Sequence, residues 1–165
     1  SRGLGDVYKR QLNRISESKL GTKFFLERKF QTWITPHNKE FFRLFPHIKS
    51  ETNVGLALTA AEEFNISVLF KGANSIVAGN KKAWQLYGTD SQTARAGLGD
   101  LLSGFVAGSS AIDLTFCRNI KTEFFAKYVL LHSFAASKCE TGSNASAIGD
   151  ELSKLMRNKK TRQIS

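Results

Sequence analysis

The segment Ile66-Ser67-Val68-Leu69-Phe70 most narrows what this chain can fold into. A strand with one wet face alternates apolar and polar residues, whereas a nearly continuous apolar run suits a strand covered on both faces. Covering both faces takes layers of helix, and the rest of the chain supplies them. Residues 12–18 and 22–29 read as helices, 31–35 as a strand, and 37–45 as a short helix stopped by Pro46, which cannot continue one. Residues 51–64 read as a helix with Val54, Ala57, Leu58 and Ala61 at helical spacing. Residues 75–78 and 83–87 read as a hairpin about Gly79-Asn80, a turn-favouring dipeptide. A helix over 98–110 follows, its Gly104 and Gly108 expected to permit close packing. The helix over 119–137 carries Phe124, Phe125, Val129, Leu130 and Phe134, and 145–157 forms the last. Helices alternating with buried strands predict an α/β layered fold without internal repeat or interdomain linker.

Residues 93–108, TARAGLGDLLSGFVAG, set a glycine-rich turn before an acidic residue and a small-residue apolar helix. Gly97 and Gly99 let the backbone approach a ligand closely or take positive φ. The first N–H groups of a helix opening at Leu98 lack intrahelical partners and attract anions, phosphate above all. Asp100 is odd in an anion site unless it has a second task, such as taking a proton from a hydroxyl. The plainer reading is a first-turn carboxylate that favours the helix dipole. Two further segments bear on the choice. Thr35-Pro36-His37-Asn38-Lys39-Glu40 follows the first strand, and Lys71-Gly72-Ala73-Asn74-Ser75 follows the second.

In chain order, TPHxxEFxRL, a strand ending in KGAxS, and GxGDLLSGxxAG resemble the ADP- or ATP-dependent NAD(P)H-hydrate dehydratases of the ribokinase-like superfamily. The resemblance covers roughly residues 12–156, and three ordered motifs are far more specific than any one. It implies an α/β fold with a ribokinase-like layered sheet flanked by helices, of which this chain holds the C-terminal portion only. It implies a lyase that phosphorylates the hydroxyl of hydrated NADH or NADPH and then eliminates phosphate to restore the dihydronicotinamide ring. Asp100 matches the family's glycine-flanked aspartate, which binds the hydrate and activates its hydroxyl. Gly97, Leu98 and Gly99 would form the anion hole for the phosphoryl group in flight, and Gly99 also matches a contact to the nucleotide's AMP portion. Lys71, Gly72, Ala73, Asn74 and Ser75 match the nucleotide-binding KGxxT segment, with Ser75 in place of Thr. His37 matches the histidine that contacts the hydrate, with Glu40 expected to buttress the loop; otherwise the two are a helix cap and a first-turn acid. ADP or ATP would serve as co-substrate, with Mg2+ entering through the phosphates. The family also implies oligomers and a partner NAD(P)HX epimerase, fused or separate.

Composition agrees. A chain of 165 residues can bury one core. No run of eighteen apolar residues suggests a membrane span. Cys117 and Cys139 lack metal-ligand spacing and suit a reducing, cytoplasmic setting. The formal charge of +10 invites a nucleic-acid reading. The basic residues, however, are spread out, densest at 157–162, and form no stripe interleaved with aromatics. A solvated basic tail over 157–165, with some charge attracting anionic nucleotides, is the reading adopted. His47 and His132 carry no motif context, and neither a zinc cluster nor a serine-hydrolase elbow is present.

Residues 1–11, SRGLGDVYKRQ, look like a translated adapter or assembly scar and are set aside from fold reasoning. Native sequence is expected from Leu12, where family members run on from an Asp-Ala-Asp-Ala-Leu-Asn-like stretch. The upstream half of the fold is therefore expected elsewhere, and this chain alone is expected to be inactive or nearly so. Asn38-Lys39 and Arg95-Ala96 depart from the family's loop residues. Two alternatives stay open: a ribokinase-like kinase for a hydroxymethylpyrimidine- or thiazole-type vitamin, which would share the glycine–Asp chemistry, and a non-catalytic nucleotide-binding module.

Overall fold

The computed structural model describes residues 5–7, 9–87, 98–116, 121–140 and 143–161. Five strands, β1 (Gly5–Val7), β2 (Thr32–Ile34), β3 (Ser67–Phe70), β4 (Ser75–Gly79) and β5 (Lys82–Leu86), form one sheet in sequential order. β1, β2 and β3 run parallel, and β4 and β5 add antiparallel to β3. Before β3 come α1 (Lys9–Glu17), α2 (Lys23–Leu26), α3 (Asn38–Leu44) and α4 (Asn53–Glu63). After β5 come α5 (Leu98–Asp113), α6 (Thr122–Lys138) and α7 (Ala145–Thr161).

Strand alternation sorts the core into two layers. Ile34, Val68, Phe70, Ile76 and Ala78 face one way, against Leu12, Phe25, Phe41, Phe45, Ala57 and Phe64 of the first four helices and their loops. Trp33, Leu69 and Val77 face the other way, against Leu102, Val106, Phe125 and Val129 of α5 and α6. Trp33 stacks on Phe125 with ring centroids 4.7 Å apart. α7 packs on α6 through Ile148 and Leu152 against Ala135 and Ala136. This is the α/β layered arrangement that the apolar β3 run predicts, with all four β3 residues buried.

Several details differ from the expectation. Residues 5–7, set aside above, pair with β2. α2 is a single turn, lacking a side-chain N-cap bond. α4 buries Leu56, Ala57, Ala60 and Ala61, with Val54 and Leu58 only partly covered. Thr59, Glu62 and Glu63 form its exposed side, and the buried stripe is turned from Val54 and Leu58 toward Leu56 and Ala60. On α6, Leu130 and Phe134 are exposed, because Phe125 and Val129 already fill the sheet-facing side. The hairpin turns at Asn80-Lys81, both at positive φ, while Gly79 stays in β4 opposite Lys82. Two consecutive positive-φ residues are what a tight hairpin with native twist requires. The basic segment is helical as far as Thr161.

Candidate functional site

Two motif loops meet where the parallel strands end. β2 runs out at Ile34 into Thr35-Pro36-His37, and β3 runs out at Phe70 into Lys71-Gly72. The loops continue the sheet one step: His37 and Lys71 form a parallel bridge, and the Lys71 N–H donates to the Pro36 carbonyl at 2.9 Å. Ligands of open α/β sheets bind beyond the carboxyl ends of strands, which is where this junction lies.

α3 is built to hold His37 there. Phe41 is fully buried, its ring centroid 4.7 Å from that of Phe70, the last residue of β3. His37 is the N-cap: its Nδ1 accepts from the Glu40 N–H at 3.2 Å, and Glu40 Oε2 accepts from the His37 N–H at 2.9 Å. This is a capping box with histidine in the serine role. Glu40 is only 3% exposed and the His37 side chain 41%. The cap reading of His37 thus holds geometrically, with Nε2 3.4 Å from Glu40 Oε1.

Lys71, Gly72, Ala73, Asn74 and Ser75 form the connection from β3 to β4. Ser75 Oγ donates to the Gly72 carbonyl at 3.3 Å, closing the turn. Ala73 and Asn74 line an open cleft of about 480 Å³ with Thr52, Asn53, Val54, Ile76 and Gln85. Thr52 is the N-cap of α4, its side chain accepting from the Gly55 N–H at 3.0 Å. Sequence reasoning did not single out Thr52, Asn53 or Gln85; a cap signal before α4 was readable at Thr52, but its approach to Asn74 is tertiary.

Asp100 lies in the first turn of α5 and is exposed, as is Gly99. A Cβ built on Gly99 would meet nothing within 4 Å, and the same holds at Gly104 and Gly108. The close packing expected of Gly104 and Gly108 is therefore not found among the described residues; both sit on the solvent face of α5. Gly97, Arg95 and Ala96 lie outside the described residues, as does the Leu98 side chain, although the Leu98 backbone opens the helix. Cys117 is likewise outside them, and Cys139 is a half-buried free thiol. Of the other histidines, His47 is exposed and bonds Glu63 Oε1 at 2.8 Å. His132 is buried, and loss of hydration lowers its pKa to about 4. No described helix is long and apolar enough to cross a membrane.

This layered sheet, with motif loops at its strand ends, defines a ribokinase-like α/β protein. A ribokinase-like superfamily protein of Enterococcus faecalis superposes with a TM-score of 0.72 at 20% identity, over 94% of this chain and 52% of that one. The NAD(P)H-hydrate dehydratase family profile matches residues 11–158, and the chain belongs to that family. The bifunctional NAD(P)H-hydrate repair enzyme of a Synechocystis species is 34% identical over 98 residues, covering 59% of this chain and 18% of its own length. The ADP/ATP-dependent NAD(P)H-hydrate dehydratase of Bacillus subtilis, co-crystallized with ATP and Mg2+, superposes with a TM-score of 0.64 at 20% identity, over 80% of this chain and 51% of that one. The chain thus spans less than a fifth of that curated relative and about half of these solved neighbours.

Proposed function

We propose that the chain carries nucleotide- and hydrate-binding parts of an enzyme that returns hydrated NADH or NADPH to the intact dinucleotide, with ADP or ATP as phosphoryl donor. The observation that carries this reading is the His37–Lys71 junction, where the two motif loops are joined at the ends of parallel strands. In this reading the hydrate hydroxyl attacks the terminal phosphorus of the nucleotide. The new O–P bond forms as the bond to the leaving nucleotide breaks, and Asp100 takes the hydroxyl proton. The ring carbon then loses the phosphate while a neighbouring ring proton leaves, and the double bond is restored.

Lys71 places a point charge at a strand end, suited to nucleotide phosphate. Gly72, Ala73, Asn74 and Ser75 supply the turn beside the cleft, and His37 faces the hydrate. Gly97, Leu98 and Gly99 offer backbone donors to the transferring phosphoryl group, the main protein contribution in such reactions. Among the described residues nothing outside the local helix backbone stands within 4 Å of where a Cβ on Gly99 would sit. Close approach of a ligand would supply a reason for glycine there. Among the described residues no group of three or more His, Cys, Asp or Glu side chains could hold a metal ion. A Mg2+ that enters on the nucleotide phosphates would, when bound, neutralise their charge.

The dehydratase part is assigned to residues 12–156, apart from residues 1–11 and the basic segment 157–165, in a cytoplasmic enzyme. An epimerase beside it has support in the name of the bifunctional Synechocystis relative. Because the chain spans about half of the solved neighbours, these 165 residues alone are expected to turn over little or nothing. The vitamin-kinase alternative is disfavoured by the TPHxxE loop, and the binding-module alternative by the intact Asp100. The test is recovery of NADPH absorbance from purified NADPHX with ADP or ATP, using the full reading frame that encodes the chain. Recovery supports the dehydratase; a folded, nucleotide-binding protein that recovers none overturns it.

A further inference from the structure

We propose that Glu40 is a positioning residue that fixes His37 as a hydrogen-bond donor, its ring proton on Nε2, toward an oxygen acceptor of the NAD(P)H hydrate. The role rests on the reading that His37 faces the hydrate, but the tautomer rests on geometry alone. A backbone N–H can only donate. With the Glu40 N–H 3.2 Å from Nδ1, that nitrogen must present its lone pair, so the neutral ring carries its proton on Nε2. His37 held this way presents Nε2–H as its hydrogen-bond donor.

Glu40 holds both ends of the arrangement. Its Oε2 ties down the His37 backbone N–H at 2.9 Å. Its Oε1 is buried, makes no hydrogen bond, and stands 3.4 Å from Nε2. A buried carboxylate oxygen without a donor is costly, and the Nε2–H is a donor within reach of a small ring rotation. The carboxylate therefore biases the ring toward the tautomer that the cap requires. Because the His37 side chain is 41% exposed, a ligand oxygen can compete with Oε1 for the same proton. No other histidine combines these features: His47 pairs on the surface with Glu63, and His132 is buried on α6.

The test is ring 15N spectroscopy of the chain labelled at histidine, where only three rings contribute and His37→Asn identifies one of them. The expected wild-type pattern is an unprotonated Nδ1 and a protonated Nε2. Glu40→Gln, which keeps an oxygen on the His37 N–H but puts an NH2 donor where Oε1 accepts, and Glu40→Ala are both expected to shift it toward the averaged pattern of free imidazole; an unchanged pattern in both overturns the role of the carboxylate. A proton on Nδ1, or averaging in the wild type, overturns the proposal. The second arm measures NADPHX kinetics in the full reading frame. His37→Asn keeps a good capping oxygen and loses the Nε2 donor. It is expected to raise KM about tenfold or more, with kcat and thermal midpoint nearly unchanged. An unchanged KM overturns the donor role. The spectra need no substrate, so they decide the tautomer even if the dehydratase reading itself fails.

Discussion

At the ends of β2 and β3 the chain ties its own loops down, while along α5 it leaves one face exposed. His37 and Lys71 are bridged, Glu40 closes a capping box, and Phe41 is clamped on Phe70. Asp100, Gly104 and Gly108 lie on an exposed helix face, and among the described residues nothing outside the local helix backbone comes within 4 Å of where a Cβ on Gly99, Gly104 or Gly108 would sit. Glycine in a helix costs roughly 0.5–1 kcal/mol against alanine, and among the described residues packing gives no reason for it at Gly104 or Gly108. The strand-end shoulder is preorganised by burial. The α5 head keeps backbone accessible instead, which is what an anion-binding helix start needs.

The largest expected effect separates chemistry from folding. In the full reading frame, Asp100→Asn should lower NADPH recovery by about 10²–10⁴-fold, the range for a positioned acid–base group. Its thermal midpoint should fall far less, since a surface interaction and the helix-dipole contribution of an exposed first-turn carboxylate are each worth about 1 kcal/mol or less. Equal loss of stability and turnover would mean that the α5 head is as structural as the shoulder, and the contrast would collapse.

Acid should act on the same side of the sheet. Burial lowers His132 from its ordinary 6.5 to about 4, so between those values the unfolded chain binds a proton that the folded chain does not. Stability from this group is complete above about pH 6.5 and is lost as pH falls toward 4, by up to roughly 3 kcal/mol. Denaturant titrations from pH 7 to 4 should show that decline, and His132→Gln should flatten it. Amide exchange should place the first acid loosening in α5–α7. Loosening that begins at α3 instead would reverse the ranking of the two regions.

Much of this was legible in the sequence because its carriers are local. The β3 run, the helix over α6 and the hairpin are patterns within a few residues, and the three motifs lie within short segments at or near element ends. What could not be read depends on neighbours far along the chain. On α4 the apolar side is wider than the buried stripe, and docking on the sheet selects Leu56 and Ala60 over Val54 and Leu58. Leu130 and Phe134 look like core in a helical pattern, yet the inner side of α6 is already filled. The cleft joins Thr52 and Gln85 to Asn74 only after the sheet and α4 have packed. His37 was read as either cap or ligand contact, and the capping geometry leaves room for both.

A seam joins the sheet to the start of α6 at Gly79. A Cβ there would sit 2.6 Å from Thr122 Oγ1 and 2.8 Å from Ser67 Oγ, two hydroxyls that hydrogen-bond each other at 2.9 Å in a buried position. Gly79→Ala must therefore push the start of α6 off β4. The expected cost is about 1–3 kcal/mol, read from the urea midpoint, as for other overpacked cores. A neutral result would mean that α6 adjusts freely, and the sheet would not be holding the α5–α7 layer in register.

The smallest effect has the opposite sign and tests the exposed face most directly. Gly104 is interior to α5, on its solvent side, with open space where a Cβ would go. Gly104→Ala should stabilise this chain by about 0.5–1 kcal/mol, because alanine loses less backbone entropy in a helix and meets no obstacle. Thermal midpoints of the two chains check it. A loss of stability would mean that this face packs against something after all, and the comparison with the shoulder would fail. If the chain gains stability while the same change in the full reading frame lowers turnover, the glycine face is kept clear for a ligand or for another part of the enzyme. That outcome would connect the open helix face to function rather than to the fold of these residues.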